Sequence, residues 1–416
     1  MRRSPLLPIF LVVLVDILGF TIVYPLLPFY AERFHASPLI ATTLVSVYAL
    51  CSLFSTPIIG RLSDQFGRRR LLLLSQAGTC AGFLVLGFSQ ALWMVFLGRI
   101  LDGITAGNLS IAQAYISDHT KPENRAKAFG IIGIAFGIGF TFGPAMAGWL
   151  SVYGDHVPFI VAACLSASSM VCTYVLLEPG VAPAVEGVAT GTGAPAAAPA
   201  APGGKRPAVF DLKVYVAFFG RVGLGSLYLQ FFAFAFAFSA FMSGFALFAE
   251  RRFTVDGKAW TAHEVGLLFA FSGLLGIILQ GGILGRLVKK LGEVKVALAG
   301  FAAAAVAYVA LGFIASLGAL LVVTAVSAFG NGVLRPVITS QLTQRVGRQE
   351  QGVAIGISGS LNSLAMTVAP PIGGLLITHG WLVAWALVPA LAASVGLITA
   401  LIDRAKVARE ATGAAT

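Results

Sequence analysis

GRLSDQFG at Gly60–Gly67 returns 225 residues later as GRLVKKLG at Gly285–Gly292. Each copy begins Gly-Arg-Leu, ends on glycine and lies in a short loop between two long apolar runs. Two further matches share the spacing. AFGIIG at Ala128–Gly133 matches AIGISG at Ala354–Gly359 at an offset of 226, and Pro144 and Gly148 match Pro370 and Gly374 at the same offset. Three matches at nearly one spacing indicate an internal duplication. In helical membrane proteins such duplications place the binding site where the repeats meet.

The rest of the chain fits that reading. It is 57% hydrophobic and 11% charged, with a mean hydropathy of +0.88. Soluble domains carry about 25% charged residues, so this surface is too apolar for water. Apolar runs of roughly twenty residues, each able to span about 30 Å of hydrocarbon as a helix, fall at 6–30, 39–60, 71–90, 92–115, 127–150, 157–178, 223–249, 264–285, 294–315, 317–340, 352–378 and 381–402. They lack strand alternation, which excludes a closed barrel. The expected class is an all-α membrane protein whose 12 transmembrane helices form two pseudo-symmetric six-helix bundles.

Between the halves, 179–207 is rich in Pro, Ala and Gly and reads as a flexible cytoplasmic linker. It separates an N-terminal bundle, 1–178, from a C-terminal bundle, 208–416, and Asp211–Arg221 is expected to form a short interfacial helix. The net charge of +11 does not imply nucleic acid as a partner. The basic residues crowd the loops on one side of the spans, while Arg33, Arg251, Arg252 and Lys258 fall on the other. That asymmetry places both termini in the cytoplasm. The first apolar run holds Asp16 and lacks a small-residue cleavage site, so it reads as an uncleaved helix rather than a signal peptide. Cys51, Cys80, Cys164 and Cys172 sit inside spans with no metal-ligand spacing.

Four motifs carry a family resemblance. GRLSDQFGRRR, Gly60–Arg70, fits the pattern G-x-L-a-D-r-x-G-r-R apart from Gln65. Gly130, Gly139, Gly143, Pro144 and Gly148 follow G-x8-G-x3-G-P-x2-G-G, with Ala147 in place of one glycine. LGFTIVYPLLP, Leu18–Pro28, fits l-g-x5-P-x-x-P, and Gly98–Gly103 is similar to an R-x-x-Q-G element with Asp102 at the glutamine. In these features the chain resembles the major facilitator superfamily, specifically the twelve-helix drug:proton antiporters that include the tetracycline efflux pumps. The resemblance implies a major facilitator fold in a bacterial inner membrane. It implies a conformational latch formed by Gly60, Asp64, Gly67, Arg68 and Arg69, and an antiporter motif on the fifth span that marks an exporter. The second copy of the latch has Lys289 where Asp64 stands, so any latch is asymmetric.

Asp16, Arg99, Asp102 and Arg335 lie well inside the spans. A charge facing lipid at mid-helix costs roughly 2.5–3.5 kcal/mol, so each is expected to face the bundle interior. Arg99 and Asp102, at i and i+3, share a helical face and can form an ion pair, either static or functional. A carboxylate in a low-dielectric cavity holds its proton more readily than one in water. Asp16, then Asp102 with Arg99 as its modulator, are therefore the expected proton-coupling residues. Arg335 either binds an anionic substrate or snorkels toward the headgroups. Tyr24, Asn108, Gln113, Gln230, Gln280, Asn331 and Asn362, with Arg335, are candidate substrate-binding residues at mid-depth.

The resemblance has gaps. The tetracycline pumps carry further carboxylates in the third and ninth helices and a histidine in the eighth, none of which this chain has in those spans. That argues against tetracycline as substrate. No zincin, nucleophile-elbow or phosphate-loop motif is present, so neither an enzyme nor a cofactor is expected. The expectation is a monomer that couples protons to export of small amphiphilic molecules. The alternative is a facilitator or proton-coupled carrier for sugars or organic anions.

Overall fold

The computed structural model describes residues 6–120, 125–177, 218–221, 223–347 and 350–413. The first bundle contains α1 (Leu6–Glu32), α2 (Pro38–Phe66), α3 (Arg68–Gly87), α4 (Leu92–Ile104), α5 (Asn108–His119), α6 (Arg125–Ser151) and α7 (Val157–Leu176). The second contains α8 (Leu224–Arg252), α9 (Ala262–Ile278), α10 (Leu284–Leu291), α11 (Glu293–Phe313), α12 (Leu317–Gln344), α13 (Gln351–Thr378) and α14 (Leu382–Gly413). A hairpin, β1 (Thr254–Val255) and β2 (Lys258–Ala259), joins α8 to α9. A π turn at Leu279–Ile283 fuses α9 and α10 into one span, Ala262–Leu291. The expected linker, 179–207, lies outside the described residues, as does most of the helix expected at 211–221.

Ten spans are individually long and apolar enough to cross a membrane. The 27 residues of α6 and the α4–α5 pair supply two further passages, consistent with twelve in a multi-pass membrane protein. The prolines of the first span do not interrupt it, since Pro25 and Pro28 lie inside a continuous α1.

The fourth span departs from expectation. The run 92–115 is not one helix but two, with Thr105, Ala106 and Gly107 between α4 and α5. Carbonyls freed inside a membrane must find other donors, and hydroxyls supply them. Ser55 donates to the Gly103 carbonyl at 2.7 Å and Thr56 to that of Ala106 at 2.9 Å, while Ser75 donates to that of Thr105. Glycines make room: a Cβ on Gly78 would lie 2.3 Å from Thr105 Cγ2, and one on Gly107 2.5 Å from Ile59 Cγ2.

The duplication is visible in the backbone. Gly67, between α2 and α3, has φ 94°, and Gly292, between α10 and α11, has φ 82°. Only glycine adopts this region readily, so both repeats turn the same corner on the same residue.

The bundles meet through pseudo-equivalent pairs, α2 with α13 and α6 with α9. Small residues let these helices approach backbone to backbone. A Cβ on Gly148 would lie 2.6 Å from Gly266 Cα, and one on Gly374 2.0 Å from Thr42 Oγ1 and 2.7 Å from the Pro38 carbonyl. Thr141 donates to the Gly273 carbonyl at 3.1 Å, and the Leu39 amide to Thr378 Oγ1 at 3.1 Å. Arg251, near the end of α8, ties to Glu32 at the end of α1 at 2.5 Å. All these contacts lie between mid-span and the end away from the termini. At the terminus-bearing end, a Cβ on Gly60, Gly285 or Gly359 would meet nothing within 4 Å.

Candidate functional site

Three of the four charges inside the spans, Asp16, Arg99 and Asp102, assemble where α1, α3, α4 and α7 converge. Gly82 and Gly98 permit the closest crossing: a Cβ on Gly82 would lie 2.8 Å from the Gly98 carbonyl and 3.0 Å from Asp102 Cβ. This brings Thr79 of α3 beside the Asp102 carboxylate. Arg99 and Asp102 are 1% and 4% exposed and form the expected ion pair, Nη1 to Oδ2 at 3.0 Å. The Arg99 guanidinium also lies over the Tyr48 ring, 4.4 Å from its centroid. Asp102 is thus neutralised in place.

Asp16 is not. Its carboxylate lies beside Ser169 and Gln76 and within electrostatic reach of Asp102, yet its Oδ1 is buried with no hydrogen-bond partner. No cation among the described residues forms an ion pair with it. Gln76 donates to Ser169 Oγ at 2.7 Å, and Ser166 donates to the Gln76 carbonyl at 3.1 Å. Gln76, Thr79 and Ser169 are absent from the sequence-based candidates. Gln76 and Thr79 share one face of α3 at i and i+3, a polar stripe that was available as a signal.

Tyr24 sits beside Ser239 of α8 and within reach of Arg99, which carries the cluster to the second bundle. The next residue inward on α8, Phe238, packs on Phe140 of α6, with ring centroids 5.7 Å apart. Phe140 in turn stacks on Phe136 at 6.2 Å, and Arg335 of α12 lies over Phe136, 5.0 Å from the ring centroid. Gln280, on the π turn, donates to the Gly332 carbonyl at 3.4 Å. Its Oε1 is 3.4 Å from where a Cβ on Gly137 would be.

The remaining candidates lie elsewhere. Asn331 pairs with the Tyr308 hydroxyl at 3.0 Å inside the second bundle, and Asn362 donates to Met366 Sδ at 3.4 Å on α13. Asn108 opens α5, its Oδ1 buried without a partner, and Gln113 lies further along the same helix. Gln230 faces away from the first bundle. With Glu293, Lys295, Gln341, Arg345 and Asp403 it lines a cavity of about 680 Å³ at the terminus-bearing end of the second bundle.

At the α2–α3 corner, Arg68 pairs with Asp64, with Asp118 of α5 at 3.0 Å and with Ser63 Oγ at 2.6 Å. Arg69 donates to the Tyr174 carbonyl of α7 and lies over the Tyr174 ring. These ties all stay within the first bundle. Of the antiporter-motif residues, Gly139 and Gly143 pack on Ile17 and Thr21 of α1, and Gly148 crosses to α9. Pro144 lies within α6, as does Gly130.

Comparison with known proteins agrees with this architecture. The chain is 30% identical over 381 residues to the class B tetracycline resistance protein of Escherichia coli, covering 89% of each. It is 26% identical to multidrug resistance protein 2 of Bacillus subtilis (strain 168), covering 88% of this chain and 86% of that protein. In fold it resembles a bacterial homologue of the human lysosomal transporter Spinster, solved inward-facing and unoccupied. The TM-score is 0.73 at 15% identity, covering 97% of this chain and 99% of that one. The family model described as Major Facilitator Superfamily matches residues 9–279 and 255–415. The chain therefore belongs to the Major Facilitator Superfamily.

Proposed function

We propose that this protein is a proton-coupled secondary active transporter that exports small amphiphilic molecules or drugs by alternating access. The observation that carries this reading is Asp16, a carboxylate among polar neighbours with a buried oxygen left without a partner. Asp102, one helix away, is held by Arg99. Two buried acids in unlike surroundings divide the labour: Asp16 loads and releases the proton, and the Arg99–Asp102 pair responds to it. The tetracycline and multidrug resistance relatives support export of drug-like molecules. The missing carboxylates and histidine turn the reading away from tetracycline itself.

We read both termini as cytoplasmic, which the basic residues of the terminus-side loops support, and the protein as a monomer in a bacterial inner membrane. The contacts at the opposite end then leave the cleft between bundles 1–178 and 208–416 open toward the cytoplasm, with 179–207 as the tether. In this state the latch residues Gly60, Asp64, Gly67, Arg68 and Arg69 bond within their own bundle. Closing the cytoplasmic side brings that corner against the second bundle. Tyr24, Gln280 and Arg335, which touch both bundles or the seam between them, are the foremost substrate contacts. Asn108, Gln113, Gln230, Asn331 and Asn362 are the outer candidates.

The test is proton movement in vesicles holding the purified protein under an imposed pH gradient, as cationic, neutral and anionic amphiphiles are added. Substrate-triggered proton flux is expected, and Asp16→Asn abolishes it. Solute equilibration independent of the gradient would overturn the reading in favour of a facilitator.

A further inference from the structure

Arg335, partly exposed, stands in a different situation from Asp16, Arg99 and Asp102. It lies nine residues from the terminus-bearing end of α12, about 13 Å along the helix. Among the described residues no carboxylate forms an ion pair with it. A snorkelling arginine turns its head to the membrane surface. The Arg335 guanidinium instead crosses the seam between bundles and lies over Phe136 of α6 at 5.0 Å. The ring face offsets part of the cost of removing the cation from water but supplies no negative charge.

The neighbouring eighth span is irregular at the matching depth. The eighth span loosens into a π turn at Leu279–Ile283, a feature often found at functional sites. That turn presents Gln280, whose amide reaches Gly332, one helical turn before Arg335. Gly276, one turn before Gln280, and Gly281 and Gly282 beside it would each carry a Cβ into open space. Among the described residues Arg335 thus has an aromatic face across the seam, the Gln280 amide bonded one helical turn away on its own helix, and no carboxylate in an ion pair.

We propose that Arg335 is the subsite for an anionic group of the substrate, with Phe136 contacting the adjoining apolar portion and Gln280 donating a second hydrogen bond. Guanidinium binds carboxylate, sulfonate or phosphate through two parallel N–H bonds, which a lone ammonium cannot do. The substrate class is therefore an amphiphile with a flat apolar body and one negative head. This deepens the export reading by naming the charge of what is exported, and it rests on the bundle seam being the substrate path.

The test uses three probes on one scaffold: 2-naphthoate, methyl 2-naphthoate and 2-naphthylmethylammonium. Binding to the full chain in nanodiscs is measured by calorimetry. The carboxylate is expected to bind at least about tenfold more tightly than the ester or the amine. Arg335→Gln should remove that preference while leaving ester binding within about twofold, which also reports that the variant is folded. Arg335→Lys should keep part of the preference, and Phe136→Leu should weaken carboxylate and ester alike. Asp16→Asn should lose proton flux but keep carboxylate binding. Equal or tighter binding of the amine or ester to the unmodified protein overturns the proposal. So does a preference that survives Arg335→Gln, or failure of all three probes to bind at millimolar concentration. If the preference holds while no proton moves, the coupling reading falls and the anion site stands.

Discussion

Gly148 of α6 and Gly266 of α9 face each other so closely that a Cβ on either would lie within 2.6 Å of the other's Cα. The opposing atoms are backbone and cannot rotate away. Gly148→Ala should therefore part the two helices, at a cost of about 1–3 kcal/mol, and lower the melting temperature of the purified protein. Gly276→Ala is the control. Its Cβ meets nothing, and alanine is the better helix former by about 0.8–1 kcal/mol, so its melting temperature should hold or rise.

Breaking one side of the Arg99–Asp102 pair should be worse than removing both. Asp102→Asn leaves a buried guanidinium with the Tyr48 face and a neutral amide but no counter-charge, a loss on the order of 3–5 kcal/mol. The double variant Arg99→Gln, Asp102→Asn strands no charge, so thermal unfolding should return most of the way to the parent value. Proton flux in vesicles should stay impaired in both. Equal stability of single and double variants would count against the pair being desolvated.

The hydroxyls at the fourth-span break are expected to be structural. Ser55→Ala or Thr56→Val removes the shorter of two bonds to a carbonyl at the break, leaving the Ala106 amide at 3.2 Å on Gly103 or the Ser55 hydroxyl at 3.4 Å on Ala106. Each should cost about 1–3 kcal/mol, read as a lower melting temperature in detergent. Thr399→Val, which alters an exposed hydroxyl bonded within an intact helix, should cost far less.

Outside the spans, Arg221 grips Glu350 through two bonds of 2.8 Å and holds its carboxyl below the ordinary glutamate value of 4.5. A carboxyl with a depressed pKa contributes stability above its unfolded value, and that contribution disappears as pH falls through its folded value. The melting temperatures of the parent and of Glu350→Gln should therefore differ by a constant, small amount well above the ordinary glutamate value and converge as pH falls through the lowered folded value. The pair is exposed, so the difference corresponds to at most about 1 kcal/mol. A gap that widens in acid would reverse the assignment.

Much of the frame was legible because it is written in local sequence. Apolar runs mark spans, and Gly67 and Gly292 announce matching corners because only glycine tolerates their φ. The Pro144/Pro370 and Gly148/Gly374 matches reach further, since both glycines form the seam between bundles. Asp256-Gly257 is a hairpin signal of the same local kind. The break at Thr105–Gly107 was hidden, because its stability comes from Ser55, Thr56 and Ser75 on other helices. The polar setting of Asp16 was hidden for the same reason, since Gln76 and Ser169 are neighbours only after folding. Gln230 shows a limit of another kind. Depth along a helix is readable from sequence, but the direction it faces is set by packing, and it faces the cavity beside Gln341 rather than the seam.

The interruption of the fourth span separates two sets of charged contacts. Asp118, which holds Arg68 at the α2–α3 corner, rides on α5, while Arg99 and Asp102 ride on α4. A continuous helix would transmit any twist at that corner straight to the charged pair. Two rods of 12 and 13 residues, separated by three non-helical residues, leave no unbroken helix between that corner and the charged pair.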